Sequence, residues 1–270
     1  MTRALVPVAI LEGETVSPGL MSLLGTVDVT VLGYHVLPEQ TPPDQARLQF
    51  GERATSALED LSQEFRTAGG DADHRLVFTR DREQTVRRVA DEVGADAFAV
   101  SGPTGDVDRI LVSVSGDVDV DRIISFVETL VGGRDIGVTL FLAAGTRGDG
   151  ADGDGAVEGD VPAESEGDAA ESVTDEAWLA AVADRLRGTG VETTTELAEG
   201  GPAFDALIGA AAGHDAVVMA ERAPSFRSLV FGDESERVAA ASVGPVLVVR
   251  DRESGASSTS GAEARSDREE

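Results

Sequence analysis

Few residues in this chain have the types and spacing that catalysis or ligand binding needs. Segment 148–153, Gly-Asp-Gly-Ala-Asp-Gly, matches the dinucleotide fingerprint Gly-x-Gly-x-x-Gly, but more acid and glycine follow where the fingerprint requires a helix. The carboxylates in and after this segment lack the spacing of an EF-hand loop, which favours diffuse cation binding over a defined calcium site. Neither a Walker loop nor a Gly-x-Ser-x-Gly motif is present, so catalysis is not indicated.

Metal and thiol chemistry is also not indicated. The three histidines, His35, His74 and His214, show no metal-ligand spacing, and we expect them to be structural or surface side chains. The chain contains no cysteine, which excludes a disulfide framework, a thiolate nucleophile and a cysteine-based zinc site.

The composition is strongly acidic. The chain has 270 residues, a net charge of −28 and no lysine, all 22 basic residues being arginine. Such a charge disfavours nucleic acid and anionic membranes as partners. No apolar run approaches the roughly 18 residues of a membrane span, and the N-terminus lacks a cleavage-site pattern, so we expect a cytoplasmic protein without membrane insertion. The lysine-free, acidic composition resembles that of proteins from salt-accumulating archaea.

The stretch 215–250 carries the clearest pattern of secondary structure. An apolar run at 216–220 predicts a strand, and the acidic segment at 233–239 predicts a helix start, because carboxylates complement the partial positive charge of that helix end. The β-branched run at 243–249 predicts a strand buried on both faces. The predicted order is therefore strand, loop, helix, strand.

This stretch resembles the C-terminal half of a universal stress protein domain. The resemblance is carried by Arg-Ser-Leu-Val-Phe-Gly at 227–232, Glu-Arg-Val-Ala at 236–239 and Gly-Pro-Val-Leu-Val-Val-Arg at 244–250. Many members of that family bind ATP through a Gly-x2-Gly-x9-Gly-Ser/Thr loop. The resemblance implies an α/β fold of the adenine nucleotide alpha hydrolase-like type, with a doubly wound parallel sheet.

Strands and helices alternate along the rest of the chain, and the alternation begins twice. Apolar runs predict four strands in a first copy, at 4–10, 27–37, 75–79 and 95–100. A second copy restarts with a strand at 108–114 and ends with the stretch described above. Helical spacing fills the intervals, which is typical of doubly wound parallel sheets. We expect two tandem modules, the first truncated because its fourth strand leads directly into the second copy.

The domain boundaries follow from this repeat and from composition. We expect a truncated module at 1–105, a complete module at 106–250 and a tail at 251–270, with an acidic insertion at 145–173 inside the second module. The insertion and the tail are rich in acid, glycine and serine, so they cannot bury enough surface to offset the entropy of ordering, and we predict them to be disordered. Thr174 is the predicted N-cap of the helix that follows the insertion.

The chain departs from the family's nucleotide loop. When the chain is aligned with this motif without gaps, Gly232 takes the place of the last glycine. Met219 and Arg222 take the places of the two earlier glycines, and Asp233 takes the place of the Ser/Thr that contacts phosphate. A carboxylate repels a phosphate, and losing two glycines removes the close backbone approach that phosphate loops need. Ala9 replaces the aspartate that the family places near the adenine.

The same departures affect both copies. Ser115 occupies the place of that aspartate in the second copy. In the first copy, the segment 102–105, Gly-Pro-Thr-Gly, follows the fourth strand, where the first two loop glycines belong. Nine residues beyond Gly105 the chain is at the end of a strand and not at a helix start, which favours a turn over a phosphate site.

Four arginines gather at the predicted open end of the second sheet: Arg222, Arg227, Arg237 and Arg250. One interpretation pairs them with the acidic side chains between 221 and 236, and we favour it because such ion pairs are common on exposed faces. The other is an anion site in which guanidinium groups, which suit bidentate contacts, replace the glycine amides.

The resemblance and the altered loop together predict a non-catalytic stress-response or regulatory binding module whose ATP site is degraded in both copies, without a cofactor. Family members commonly pair through their last strands, so we expect a homodimer or an internal pseudo-dimer. Similar domains also occur beside membrane transporters, which makes a transporter's cytoplasmic face a candidate partner. ATP binding with weak hydrolysis is the alternative, and the missing cofactor loop disfavours an electron-transfer flavoprotein.

The charge of −28 predicts that the fold depends on salt. Repulsion among the carboxylates is screened at molar salt, where the Debye length is roughly 3 Å, and acts over longer distances in dilute buffer. We expect the melting temperature, followed by circular dichroism from millimolar to molar potassium chloride, to rise with salt. A melting temperature that does not change with salt would contradict this.

Overall fold

A computed structural model describes most of the chain and shows a mixed α/β architecture built on one sheet. Of residues 166–173 only the backbone is described. The described residues are 1–38, 40–100, 102–116, 118–144, 146, 166–198, 202–223 and 244–251. The predicted helix start at 233–239 lies outside them, as do most of the predicted insertion and tail.

The described residues contain nine strands and six α-helices, which alternate except between the fourth and fifth strands and between the eighth and ninth. The strands are β1 (Arg3–Ala9), β2 (Asp28–Val36), β3 (Ala72–Thr79), β4 (Ala97–Val100), β5 (Arg109–Ser113), β6 (Gly137–Ala143), β7 (Thr193–Ala198), β8 (Ala216–Ala220) and β9 (Val246–Val249). The helices are α1 (Pro18–Leu23), α2 (Pro43–Ala68), α3 (Arg82–Val93), α4 (Val120–Val131), α5 (Glu166–Gly188) and α6 (Ala203–Ala211). No helix in this part of the chain is both long and apolar enough to cross a bilayer.

The strands form one sheet in the order β3-β2-β1-β4-β9-β8-β5-β6-β7. All neighbouring strands run parallel except β4 and β9, which are antiparallel. The predicted α/β class with doubly wound parallel strands is confirmed. The two halves share one sheet, because β4 and β9 pair edge to edge and leave no break between them.

The strand order of the first half recurs in the second. Residues before 105 contribute β3-β2-β1-β4, and the later residues contribute β7-β6-β5-β8 with β9 added beyond β8. In the first half no described helix follows β4, and the chain reaches β5 through 102–108. Strand β9 therefore lies beside β4, where a fifth strand of the first half would otherwise lie.

The sheet is covered on both faces. Successive side chains of a strand point to opposite faces, so Val6 enters the core formed with α1, α2, α4 and α5, whereas Leu5 enters the core formed with α3 and α6. Both side chains are fully buried. Burial on both faces explains why the central strands are continuous apolar runs in the sequence.

Helix α5 begins earlier than predicted. It starts at Glu166, inside the segment expected to be disordered, and Thr174 lies within the helix, so the prediction that Thr174 is its N-cap is wrong. The added part contains Ala169, Ala170 and Glu171, which are good helix formers, and acidic residues favour a helix N-terminus. Acidic residues and alanine suit a helix as well as a solvated coil, so their polarity alone does not predict disorder.

The two outermost strands carry the same local feature. Arg66 lies in the last turn of α2, before β3, and Arg187 lies in the last turn of α5, before β7. Each guanidinium donates to the main-chain carbonyl six residues further on: Arg66 to Ala72 O, and Arg187 to Thr193 O at 3.0 and 2.9 Å. Each arginine thus satisfies a carbonyl at an open edge of the sheet, where unpaired main-chain groups invite association.

Arg134 joins helices of the two halves. Its guanidinium donates to Ser22 O at 2.7 Å and Leu23 O at 2.8 Å in α1, and to Leu130 O and to Val131 O at 3.1 Å in α4. Burial lowers the pKa of Arg134, yet an arginine stays protonated at any physiological pH. One cation therefore caps two helix C-termini, whose partial negative charge it complements.

Replacing Arg134 by methionine tests this contact. Arg134→Met removes every guanidinium hydrogen bond but keeps a side chain of similar length, and we expect the free energy of unfolding to fall by about 2–3 kcal/mol. The control is Arg88→Met, because Arg88 pairs with Glu92 on the exposed face of α3 and such pairs contribute less than about 1 kcal/mol. Chemical denaturation at molar salt measures both. Equal losses in the two variants would contradict the role given to Arg134.

The pairing of β4 with β9 predicts that residues 1–105 do not fold as a monomer on their own. Expressed alone, this fragment exposes the edge of β4 and the apolar surface that α4 and β9 cover in the full chain. We expect it to aggregate or self-associate, measured by light scattering at molar salt. A monomeric fragment with a cooperative thermal transition would show that the first half is independent.

Candidate functional site

The strands of the first half and those of the second half have their carboxyl ends at opposite ends of the sheet. These two ends are named the first and the second carboxyl edge. The register places Ala220, at the end of β8, level with Val249 and Ala97, and so with Ala4 at the beginning of β1. Ala9, at the end of β1, lies at the other edge. Because α/β sheets bind ligands beyond the carboxyl ends of their strands, each half has its own candidate site.

The predicted nucleotide-site residues are therefore divided between the two edges. Ala9 lies at the carboxyl edge of the first half, whereas Met219 and Arg222 lie at that of the second half. Gly232 and Asp233 lie outside the described residues. Ala9 and Met219 cannot line one pocket.

At the first edge, a carboxylate folds back onto the end of β1. The buried Ala9 amide donates to Oε2 of Glu14 at 2.6 Å, and the Glu12 amide donates to Ala9 O at 2.9 Å. The sequence comparison considered position 9 alone and missed Glu14. The available signal was Glu12-Gly13-Glu14 directly after a predicted strand, since carboxylates accept hydrogen bonds from free main-chain amides.

A tyrosine and an arginine lie beside these carboxylates. The Arg82 guanidinium lies over the ring of Tyr34, 5.4 Å from its centre. The pKa of Tyr34 is raised, mainly by burial and also by Glu14 and Glu12, while Arg82 acts in the opposite direction. The phenol is therefore a neutral hydrogen-bond donor at neutral pH. The first edge thus combines two carboxylates, one guanidinium and one phenol.

The segment 102–105 packs backbone to backbone against its neighbours. A Cβ atom added to Gly19, in α1, would lie 1.8 Å from Gly105 O, and one added to Gly102 would lie 2.2 Å from Gly244 O. Only glycine permits such approaches. These glycines therefore serve packing between chain segments, and no helix N-terminus follows them in the described residues up to β5.

At the second edge, the residues laid on the first two loop glycines are engaged in the fold. Met219 lies within β8 and is fully buried in the core shared with α3 and α6. Arg222 follows the strand, and its Nε lies 2.9 Å from Oδ2 of Asp251. The ion-pair interpretation therefore describes Arg222, with Asp251 as the partner instead of a neighbour between 221 and 236.

Arg250 is buried and links the two halves. It donates to Asp91 Oδ1 at 2.6 Å and to Ala95 O at 3.3 Å, both in the first half, and its Nε lies 4.0 Å from Glu221 Oε2. Its position next to β4 could not be read from the sequence, since Asp91 is 159 residues away. Arg227 and Arg237 lie outside the described residues.

Two alanines have the spacing of the family's first glycine pair. Ala220 ends β8 and Ala223 follows three residues later, and the Ala223 amide donates to Ala220 O at 3.1 Å. This pair lies one position beyond Met219 and Arg222, and the comparison without gaps missed it. Alanine is the smallest residue after glycine. The pair Ala220 and Ala223 therefore departs less from the glycines of a phosphate loop than the pair Met219 and Arg222 does.

The remaining predicted positions have structural partners. Ser115 is buried and its Oγ accepts from the Ala143 amide at 2.8 Å. His214 bonds to Ala210 O at 2.9 Å and to Thr139 Oγ1 at 2.8 Å. His35 packs edge-on against Phe50 and Phe78. The described part of the chain contains no group of three or more acidic, histidine or cysteine side chains placed to hold a metal ion.

Comparison with known families identifies the fold's relatives. Residues 106–250 match the model of the universal stress protein family, and this match covers just over half of the chain. The chain belongs to the universal stress protein family. The resemblance drawn from the stretch 215–250 is confirmed. No curated protein sequence matches the chain significantly.

Solved structures of family members share the fold. A universal stress protein from Archaeoglobus fulgidus superposes with a TM-score of 0.58 at 16% identity, over 93% of this chain and 97% of that one. At this identity the likeness shows the fold alone. A second protein of the family from Archaeoglobus fulgidus, in complex with dAMP, covers 52% of this chain and 96% of its own, at 18% identity and a TM-score of 0.33. That superposition is too loose for a comparison of binding residues.

Proposed function

We propose that this chain is a non-catalytic, regulatory binding module of the universal stress protein family, in which both family nucleotide sites have been lost. The observation that carries the proposal is that, among the described residues, groups at each carboxyl edge that could bind a phosphate are engaged by other parts of the chain. Tight backbone packing occupies the first edge and ion pairs occupy the second.

The first edge does not suit an adenine nucleotide. The Ala9 amide is already bonded to Glu14, so it offers no free donor, and the Glu14 carboxylate carries a charge of the same sign as a phosphate. The backbone contact between Gly19 and Gly105 leaves no room for a phosphate between them. The glycines of segment 102–105 are engaged in backbone packing, so a triphosphate at this edge would find no free glycine-rich loop among the described residues.

Charge pairing engages both described arginines of the second edge. Arg222 is paired with Asp251 and Arg250 with Asp91, so a phosphate would have to compete with a carboxylate for either guanidinium. Opening either pair to admit an anion would leave a carboxylate facing it. We further propose that the protein acts in the cytoplasm as an internal pseudo-dimer, with β9 as the shared strand.

A second candidate function is nucleotide binding at the second edge, and the turn between Ala220 and Ala223 favours it. Its small residues allow a ligand to approach the backbone closely. In this case Arg222 would exchange Asp251 for a phosphate, since arginine binds both groups in a bidentate manner.

Calorimetric titration with ATP and cyclic nucleotides at molar salt separates the two functions. We expect no saturable heat at micromolar protein, because the described groups that could bind a phosphate are already engaged at each edge. Saturable micromolar binding by the native chain would overturn the loss of the nucleotide site. Arg222→Ala would then show whether Arg222 is a ligand, with Arg88→Ala as the control because its pair with Glu92 lies on exposed α3.

A further inference from the structure

The outer edge of β3 has main-chain groups without partners in the sheet. The Val29 and Leu37 amides donate to Asp71 O and Thr79 O, both at 2.7 Å. In a parallel ladder the residues bonded to the neighbouring strand alternate, so the odd-numbered residues of this strand face β2. The main-chain groups of His74, Leu76 and Phe78 therefore point outwards. No described strand pairs with this edge, since β3 is the first strand of the sheet order.

A cavity of about 570 Å³ lies along this edge beneath α2. Its walls are Arg47, Gly51, Glu52, Thr55, Ser56 and Glu59 of α2, together with Leu76 of β3. Gly51 adds no side chain to this space, and a Cβ added there would touch only Arg47 Cγ, at 3.6 Å, so a larger side chain would extend into the cavity. The unpaired main-chain groups and the cavity thus occur at the same residue, Leu76.

A second copy of the chain does not fit this edge through its own β3. Helix α2 packs directly over β3, with Ser62 Oγ 3.4 Å from His74 Nδ1 and Arg66 bonded to Ala72 O. Two paired β3 strands would lie about 4.8 Å apart and would bring the two α2 helices to about the same separation. Packed helices need about 8–10 Å. The occupant must be an extended segment that carries no helix on this face.

The charges around the cavity indicate the chemistry of that segment. Glu52 and Glu59 are exposed, and neither forms an ion pair with a described residue, whereas Arg47 is the single cation of the lining. The net charge of −28 also attracts basic partners. Leu76 offers an apolar contact beside these carboxylates.

We propose that the β3 edge binds an extended, basic peptide segment of a partner protein as a tenth strand beneath α2. Its main chain pairs with Leu76 and its neighbours, which is the mode of strand addition seen at open sheet edges. On the side facing α2, it places an apolar residue beside Leu76 and an arginine or lysine, two positions away, beside Glu52 or Glu59. This surface is separate from both carboxyl edges, so the proposal goes beyond the loss of nucleotide binding and does not depend on it.

The test uses the full chain and a labelled, end-blocked peptide of about eight residues, Thr-Val-Thr-Arg repeated twice, which has the length of a strand. We expect saturable binding by fluorescence anisotropy in moderate salt, together with slower hydrogen exchange at the Leu76 and Phe78 amides. Gly51→Phe fills the cavity and should weaken binding at least about tenfold. Gly209→Phe is the matched control, since Gly209 also lies in a helix and an added Cβ there meets nothing.

A second variant keeps the proposal testable if Gly51→Phe fails to fold. The double substitution Glu52→Gln and Glu59→Gln keeps the side-chain shapes and should weaken binding several-fold. A peptide with the same side chains but every amide N-methylated keeps the charge and offers no main-chain donor to the strand edge, so it should not bind. Equal binding of both peptides, equal affinities of the two phenylalanine variants, or no binding at all would overturn the proposal. So would a dimer of the native chain that Gly51→Phe dissociates, because the occupant would then be a second copy.

Discussion

The antiparallel pairing of β4 with β9 is the contact on which the rest of the structure depends. It joins Ala97–Val100 to Val246–Val249 and makes one nine-stranded sheet from two halves. Because these two strands run in opposite directions, the carboxyl ends of the two halves lie at opposite edges. The pairing also uses both sides of β9, the last strand, so the open edges of the described sheet are those of β3 and β7.

Arginine secures most of the junctions that this arrangement creates. Arg250 ties β9 to the first half, Arg134 caps α1 and α4 together, and Arg66 and Arg187 satisfy carbonyls at the two open edges. A guanidinium presents five donors in a fixed plane, so one side chain can bond carbonyls from two segments. In a chain without lysine, this geometry gives several of the arginines a structural role.

The use of arginines and glycines for contacts within the chain also affects the candidate binding sites. Arg222 and Arg250, which could have held an anion at the second carboxyl edge, pair with carboxylates instead. At the first edge, the glycines of segment 102–105 pack against α1 and against Gly244. The binding surface proposed here is lateral, along β3 beneath α2, where main-chain groups and a cavity coincide. In this proposal the fold binds its partner at the side of a strand and not beyond the strand ends.

The sequence by itself determined the local elements and the family. Apolar runs located the strands, helical spacing located α2 and α4, and the stretch 215–250 was sufficient for the family resemblance, because these signals arise from residues close together in the chain. The start of α5 was misjudged, since acid and alanine suit both a solvated coil and an exposed helix. Tertiary structure alone decided that β9 pairs with β4, that Arg250 reaches Asp91, and that Ala9 and Met219 lie at opposite edges. These contacts join residues up to 159 positions apart, and strand direction and register, which no local pattern encodes, bring them together.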